Sequence, residues 1–429
     1  MRTDDSEVAK TVWWKSAGSR PQTASIEAGR RYDVAIVGGG IAGLTAARHL
    51  ARLGMQVGLF EADTLGSGAS GVNGGYVVPN FAKADPDAVV ARLGEDRGRR
   101  LLALVGAGAD RVFATIRDNA IECDAEQVGW MHVAHDARSL DMLRVRATAW
   151  QKLGRPVRIF DEGEARARTT MRYCAGAYFD PAGGMLNPLA YTLGLARLAG
   201  EAGVHLHERA RVATVVRTGP RWRLGFGDGH VEADRVVLAT NASSIGAARR
   251  LFRTVVPLRV YQMATRPLAP AEAARIAPGR NPIADTRATF FTYRLDRDNR
   301  LISGGMPILP FRAHARMGHA IARRLASELG LADVPEVEHV WFGTAAMTTD
   351  FLPHVYELGP GFVGGIGCNG RGIALTTMLG EVLAQAASGT ALADLPIPTA
   401  PARAIPFHLL ARAAPSLAIM HAKWTDRHL

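Results

Sequence analysis

The chain has 429 residues, 48% of them hydrophobic and 21% charged, and a formal net charge of +11. That length buries a large core and suits two domains, and the composition excludes a disordered or fibrous chain. No apolar run reaches membrane-spanning length and the first 28 residues lack a signal-peptide core, so a cytoplasmic protein is expected. Five of the 51 basic residues are lysines (Lys10, Lys15, Lys83, Lys152, Lys423). The arginines are scattered, without a basic stripe interleaved with aromatics, which argues against nucleic acid as a partner. Cys123, Cys174 and Cys368 lie far apart, in neither a disulfide nor a zinc pattern, and no metal site is expected.

Residues 1–29 form a polar tail around Val12-Trp13-Trp14, a pair of tryptophans expected to anchor on the body. From Tyr32 to Glu61 the pattern is strand, glycine turn, helix, strand, acid. Val34–Val37 is a continuous apolar run, as a buried parallel strand requires. Gly38, Gly40 and Gly43 follow in G-x-G-x-x-G spacing: one for the tight turn, one for approach of a pyrophosphate, one for close packing of the next helix. That helix, with Leu44, Ala47, Leu50 and Ala51 on one face, offers its N-terminus, at Ile41 and Ala42, to a phosphate. Glu61 closes the second strand about twenty residues after Gly43, where a carboxylate accepts from a ribose diol, with Ala62 beside it. Together these make a dinucleotide site, without choosing between FAD and NAD(P).

Gly66–Tyr76 carries so many glycines that neither a helix nor a regular strand is expected, and its backbone is read as approached by a large flat ligand. Residues 84–168 read as mainly helical, with short strands at Trp130–Ala134 and Val157–Phe160. Pro188 begins a helix to about Ala202. Strands follow at Val204–Glu208, Val212–Arg217, Trp222–Gly225 and Arg235–Ala239, the last ending in Thr240-Asn241, small polar residues at a strand end. Beyond Val255 the alternation is antiparallel in type: Val260–Thr265, Ala288–Leu295 and Leu301–Gly305, with a turn at Asp298-Asn299. A helix over His314–Glu328 and a strand over Val337–Phe342 come next. Phe362–Gly372 is a second strand and glycine turn, leading into a helix from Ile373. Phe407–Trp424 is apolar and weakly basic, and is read as packing on the body, with membrane-surface contact as the alternative.

These blocks, in order, resemble the FAD-dependent oxidoreductases of the D-amino-acid oxidase superfamily, nearest the gamma-glutamylputrescine oxidase group. The resemblance rests on the nucleotide motif with Glu61, Gly68-Ala69-Ser70-Gly71 with Asn73-Gly74-Gly75, Gly183-Gly184 before Pro188, and Leu238–Ala242. It continues in Ala264–Leu268, Tyr293-Arg294 with Asn299–Leu301, Trp341-Phe342-Gly343 and Gly367–Gly372. Such relatives usually carry arginine where this chain has Val72, serine where it has Asn369 and histidine where it has Arg371. The implied fold is α/β: a Rossmann-type FAD-binding domain plus a discontinuous α+β substrate domain with a mainly antiparallel sheet. The FAD domain would take residues 30–83, 181–252 and 343–398, the substrate domain 84–180 and 253–342, and residues 399–429 would be a C-terminal tail. FAD, bound without a covalent link, would be held by Gly38, Gly40, Ile41, Ala42, Gly43, Glu61, Ala62, Ser67, Gly68, Ala69, Ser70, Asn73, Gly74, Gly75, Val212, Thr240, Asn241, Gly343, Gly367, Asn369, Gly370, Arg371, Gly372 and Ile373.

The implied reaction is oxidation of a C–N bond in an amine or amino acid by hydride transfer to flavin N5, giving an imine that hydrolyses, with oxygen as acceptor and hydrogen peroxide as by-product. No Ser/His/Asp set or paired carboxylates are found, and none is required, because the cofactor carries the hard step. Arg371 and Arg294 are candidate cationic groups, and Tyr261, Tyr293 and Trp341, with Phe291, candidate aromatic walls of the substrate site. Some relatives use a lysine over the flavin for oxygen reactivity. This chain has no lysine from 153 to 422, which tilts towards an alternative, a dehydrogenase serving a quinone or another carrier. An FAD-binding scaffold without turnover is the alternative of another class.

Overall fold

The computed structural model describes residues 6–426, apart from 228, 310, 412 and 413. Residues 1–5 and 427–429 of the two expected tails lie outside the described residues.

The first strand, Arg31–Val37, is central to a nine-stranded sheet. It runs parallel to Val57–Phe60 on one side and to Gly229–Leu238 on the other. Phe362–Ile366 and His205–His207 add parallel strands beyond them. Its side chains alternate, as strand geometry demands. Val34 and Ile36 point into the core shared with the helices, while Ala35 and Val37 pack in a second core with Trp222, Leu224 and Phe226. The helix Ile41–Arg52 lies against Pro188–Glu201 and Gly372–Ser388. Both faces of the strand are thereby covered, which is why its sequence is a continuous apolar run.

The second sheet has eight strands, in the order Val337–Met347, Val256–Pro267, Arg300–Gly305, Thr292–Leu295, Ile283–Asp285, Trp130–Ala134, Gly176–Asp180, Arg158–Phe160. Every pairing is antiparallel except that of Ile283–Asp285 with Trp130–Ala134. One face packs on the helix Ala313–Leu329. The other joins the core of the nucleotide half through Trp130, Tyr178, Ile302 and Trp341. The fold is thus a Rossmann-type α/β half joined to a discontinuous α+β half.

Two local expectations are corrected. The glycine-rich segment does contain one helical turn, Ala69–Val72, and Tyr76-Val77 forms a short strand with Gly184-Met185. The strand expected over Ala288–Leu295 begins only at Thr292, because Phe290 takes a positive φ of 45°. The strand Val337–Met347 of the second sheet crosses the boundary expected at 342/343.

Candidate active site

The carboxyl ends of four adjacent parallel strands open into one cleft. Across it lie Glu61 after Val57–Phe60, Gly38 after Arg31–Val37, Thr240 after Gly229–Leu238, and Gly367 after Phe362–Ile366. Three strand spacings make this a span of about 14 Å, suited to an elongated dinucleotide. Gly38 turns at φ +112°, and a Cβ there would lie 2.5 Å from the Ala239 carbonyl oxygen. A Cβ on Gly43 would lie 2.0 Å from the Gly38 oxygen, so the helix can start this close to the strand only with glycine at both places.

Ser70 Oγ accepts the Ile41 N–H at 3.0 Å, tying the glycine-rich segment to the helix N-terminus. Glu61 accepts from Gly39 N at 2.7 Å and from Asp63 N at 3.0 Å. Burial pushes its carboxyl pKa up, opposed by those backbone donors. The Thr240 hydroxyl is buried without a partner. The cleft is also lined by Gly40, Ile41, Ala42, Ala62, Ser67, Gly68, Ala69, Ser70, Asn73, Val212, Asn241 and Gly372. Glycine turns that a Cβ would fill, a carboxylate at the second strand end and an orphaned hydroxyl fit an FAD.

One face of the second sheet packs on the nucleotide half, and register decides which side chains point that way. Tyr293, Ile283 and Met131 form one cross-strand row; the neighbouring rows carry Arg294 with Trp130, and Thr292 with His132. Adjacent rows point to opposite faces. Arg294, Trp130 and His132 therefore face the nucleotide half, and Tyr293 does not. Arg294 Nη1 donates to the Gly75 carbonyl at 3.3 Å, and Trp341 Nε1 to that of Val72 at 2.7 Å. Arg371, at the N-terminus of Gly372–Ser388, places Cζ 4.9 Å from the Trp130 ring centre.

Both guanidiniums are buried, and among the described residues no carboxylate pairs with either. The Nε atoms of both, Trp130 Nε1 and Gln262 Oε1 are buried without hydrogen-bond partners. Burial lowers each arginine to about 10.

Three expected wall residues lie elsewhere. Tyr293 points away, its hydroxyl 2.6 Å from Thr169 Oγ1 and 3.3 Å from the Ile276 carbonyl. Tyr261 and Phe291 pack in the same core, beneath Ala313–Leu329. Period-2 alternation put the tyrosine and arginine of Tyr293-Arg294 on opposite faces, and the sequence alone did not say which face was inner. Asn369 does not line the cleft either: its Oδ1 accepts from Thr348 N and Oγ1 at 2.8 and 3.1 Å, latching the late glycine turn. Gly370 and Ile373 are also absent from the lining. Gly343 is on the second sheet itself, where a Cβ would lie 2.9 Å from Val72 Cγ2; Cβ atoms on Gly74 and Gly75 would lie 3.3 Å from Gln262 Oε1 and 3.0 Å from Arg294 Nη2 of that sheet.

Sequence reasoning missed Arg211, the cation lining the cleft near Val212, and Thr376 and Cys368 at its far end. It also missed Trp130, His132 and Gln262, each marked only by its position in an alternating strand.

The family of FAD-dependent oxidoreductases (DAO) matches residues 33–386. The chain belongs to this family. Among curated relatives, the probable oxidoreductase OrdL of Rhizobium meliloti is 30% identical over 91% of this chain and 92% of its own. The gamma-glutamylputrescine oxidoreductase of Escherichia coli is 27% identical over 84% of each. The crystal structure of glycine oxidase from Geobacillus kaustophilus superposes with a TM-score of 0.67 at 23% identity, covering 84% of this chain and 96% of that one. The protein is an FAD-dependent oxidoreductase.

Proposed function

We propose that this FAD-dependent oxidoreductase oxidises the C–N bond of an amine that carries a carboxylate, an amino acid or an acidic amine derivative. The observation that carries this reading is the presence of two buried guanidiniums, Arg294 and Arg371, without carboxylate partners beside the cofactor cleft. A buried charge with no protein partner is expensive, and a substrate carboxylate would supply the partner, bidentate to a guanidinium. Relatives named for gamma-glutamylputrescine and glycine oxidation act on substrates of this kind. FAD, when bound, supplies the two-electron acceptor. The chain's own part is to bind and orient the substrate and to exclude water. Trp130 and Trp341 make the second sheet's wall apolar, and a desolvated amine loses its proton more readily, which leaves its lone pair free. The N-terminus of Gly372–Ser388, with Gly372 and Thr376 lining the cleft, favours negative charge there. Cys368 lines the same cleft, but burial pushes its thiol up, out of the reactive thiolate range, which supports non-covalent FAD.

We further assign cofactor binding to residues 30–83, 181–252 and 343–398 and substrate binding to 84–180 and 253–342, with the strand Val337–Met347 crossing from one to the other. We also propose a cytoplasmic location, which the three free cysteines support. Steady-state kinetics test the substrate reading. Arg294→Met should raise KM for an amino acid about 10- to 100-fold, the worth of a charged hydrogen bond, and leave KM for the corresponding amine without a carboxylate unchanged. An equal effect on both substrates would contradict it.

Oxygen is the first candidate for electron acceptor. A second reading, a dehydrogenase serving a membrane carrier, is favoured by the C-terminal segment. Among the described residues no helix is long and apolar enough to cross a membrane. Phe407, Leu409 and Leu410 are nonetheless 82%, 79% and 73% exposed, beside the exposed Arg249 and Arg253. On the helix Ala414–Asp426, Leu417, Met420 and Trp424 form an exposed stripe at helical spacing. Apolar and cationic groups side by side suit an anionic bilayer surface. On this reading the enzyme sediments with vesicles of phosphatidylcholine and phosphatidylglycerol, salt releases it, and turnover yields little peroxide. Stoichiometric peroxide and no sedimentation would support the oxidase.

A further inference from the structure

The N-terminal segment runs from one sheet to the other across the flavin-side loop. At its start Glu7 Oε2 accepts the Phe342 N–H at 3.1 Å, and His339 Nδ1 lies 3.2 Å from the Lys10 carbonyl oxygen, both on the edge strand of the second sheet. Further on, Ala24 N donates to the Leu206 carbonyl at 2.9 Å, and the Ala24 carbonyl lies 2.8 Å from His207 Nδ1, on the edge strand of the first sheet. Between these anchors Trp13 turns inward and is 3% exposed. Its Nε1 donates to the Asn73 carbonyl at 3.0 Å, and its ring stands edge-on to Trp341 with centroids 6.1 Å apart. The Arg294 guanidinium carbon lies 4.8 Å from the Trp13 ring centre. Three carbonyls of the loop, those of Val72, Asn73 and Gly75, are thus held by Trp341, Trp13 and Arg294, from three distant parts of the chain.

We propose that Trp13 is a positioning residue of the substrate site, its π face holding the Arg294 guanidinium in the place a carboxylate would otherwise take. A protein carboxylate beside Arg294 would neutralise it and compete with substrate. An aromatic face instead attracts the cation where water is excluded, fixes its plane and leaves N–H donors free. The segment around Glu7–Ser16 is therefore part of the active-site wall. This rests on the reading that Arg294 receives a carboxylate.

The test uses the full-length, FAD-loaded protein titrated with propionate, a carboxylate without an amine, followed by perturbation of the flavin spectrum. Trp13→Phe keeps a π face and Trp13→Leu does not; both lose the bond to Asn73. The wild type should bind propionate, Trp13→Phe should stay within about threefold of it, and Trp13→Leu should bind about tenfold more weakly at unchanged flavin content. With an amino-acid substrate the leucine variant should show the loss in KM rather than kcat. A residue that merely fills space would give Phe and Leu the same value. That result overturns the proposal and leaves the carboxylate reading standing, whereas a wild type blind to propionate overturns both. Should Trp13→Leu fail to fold, Trp13→Met supplies the same non-aromatic comparison.

Discussion

His132 lies buried on the cleft face of the second sheet, Nε2 3.0 Å from the Asp285 carbonyl and Nδ1 3.4 Å from Arg146 Nη1. Burial first, then the charges of Arg146 and Arg371, push its pKa down to about 3. The folded protein thus holds it neutral, donating from Nε2 and accepting at Nδ1. Between pH 6.5 and about 3 the unfolded chain takes up a proton that the folded one refuses. This contribution to stability is whole above pH 6.5 and falls as pH drops, by up to about 1.4 kcal/mol per pH unit. Urea unfolding at pH 7 and pH 5 checks it: His132→Gln should show a shallower loss than the wild type, and an identical loss would contradict the assignment. Little of this was legible in the sequence, where a lone histidine in an apolar strand gives no sign of what faces it. Arg294 was legible as a candidate only through the resemblance, which places Tyr293-Arg294 in a segment expected to cover the flavin. Its neighbour Tyr293 was not separable from it until the register was known.

Elements with strong local rules were read well. The strand, turn and helix from Arg31 to Arg52 follow from an apolar run, three spaced glycines and a helical stripe, each needing only its own neighbours in sequence. Gly38→Ala puts a Cβ 2.5 Å from the Ala239 oxygen, at a φ of +112°, and should leave the purified protein without flavin. Gly54→Ala, also at positive φ but with nothing within 4 Å, costs about 1 kcal/mol of backbone strain and should keep it. Flavin absorbance per polypeptide after purification distinguishes the two, and equal loss in both would mean that strain alone decides. The one-turn helix Ala69–Val72 was misread because its glycines suggested irregular backbone. Asn73 Nδ2 closes the turn by donating to the Ala69 and Ser70 carbonyls, and the bond from Ile41 N to Ser70 Oγ ties it to a helix that is distant in sequence.

At the scale of the molecule the order of blocks was enough to indicate two interleaved halves and an FAD site. The proposed substrate contacts were harder, because Trp13, Arg294 and Trp341 meet one another, and Arg371 meets Trp130, only when both sheets are in place. The central claim is that this convergence orients a carboxylate-bearing amine for oxidation in the cleft. Anaerobic mixing of the FAD-loaded enzyme with a panel of amino acids and their decarboxylated amines tests it most directly, by bleaching of the visible flavin absorbance. At least one carboxylated member should bleach the flavin and yield carbonyl product and one nitrogen leaving group per flavin, while its decarboxylated counterpart reacts far more slowly. A flavin reduced chemically by dithionite but by no carboxylated amine, or reduced equally by both members of each pair, would contradict it.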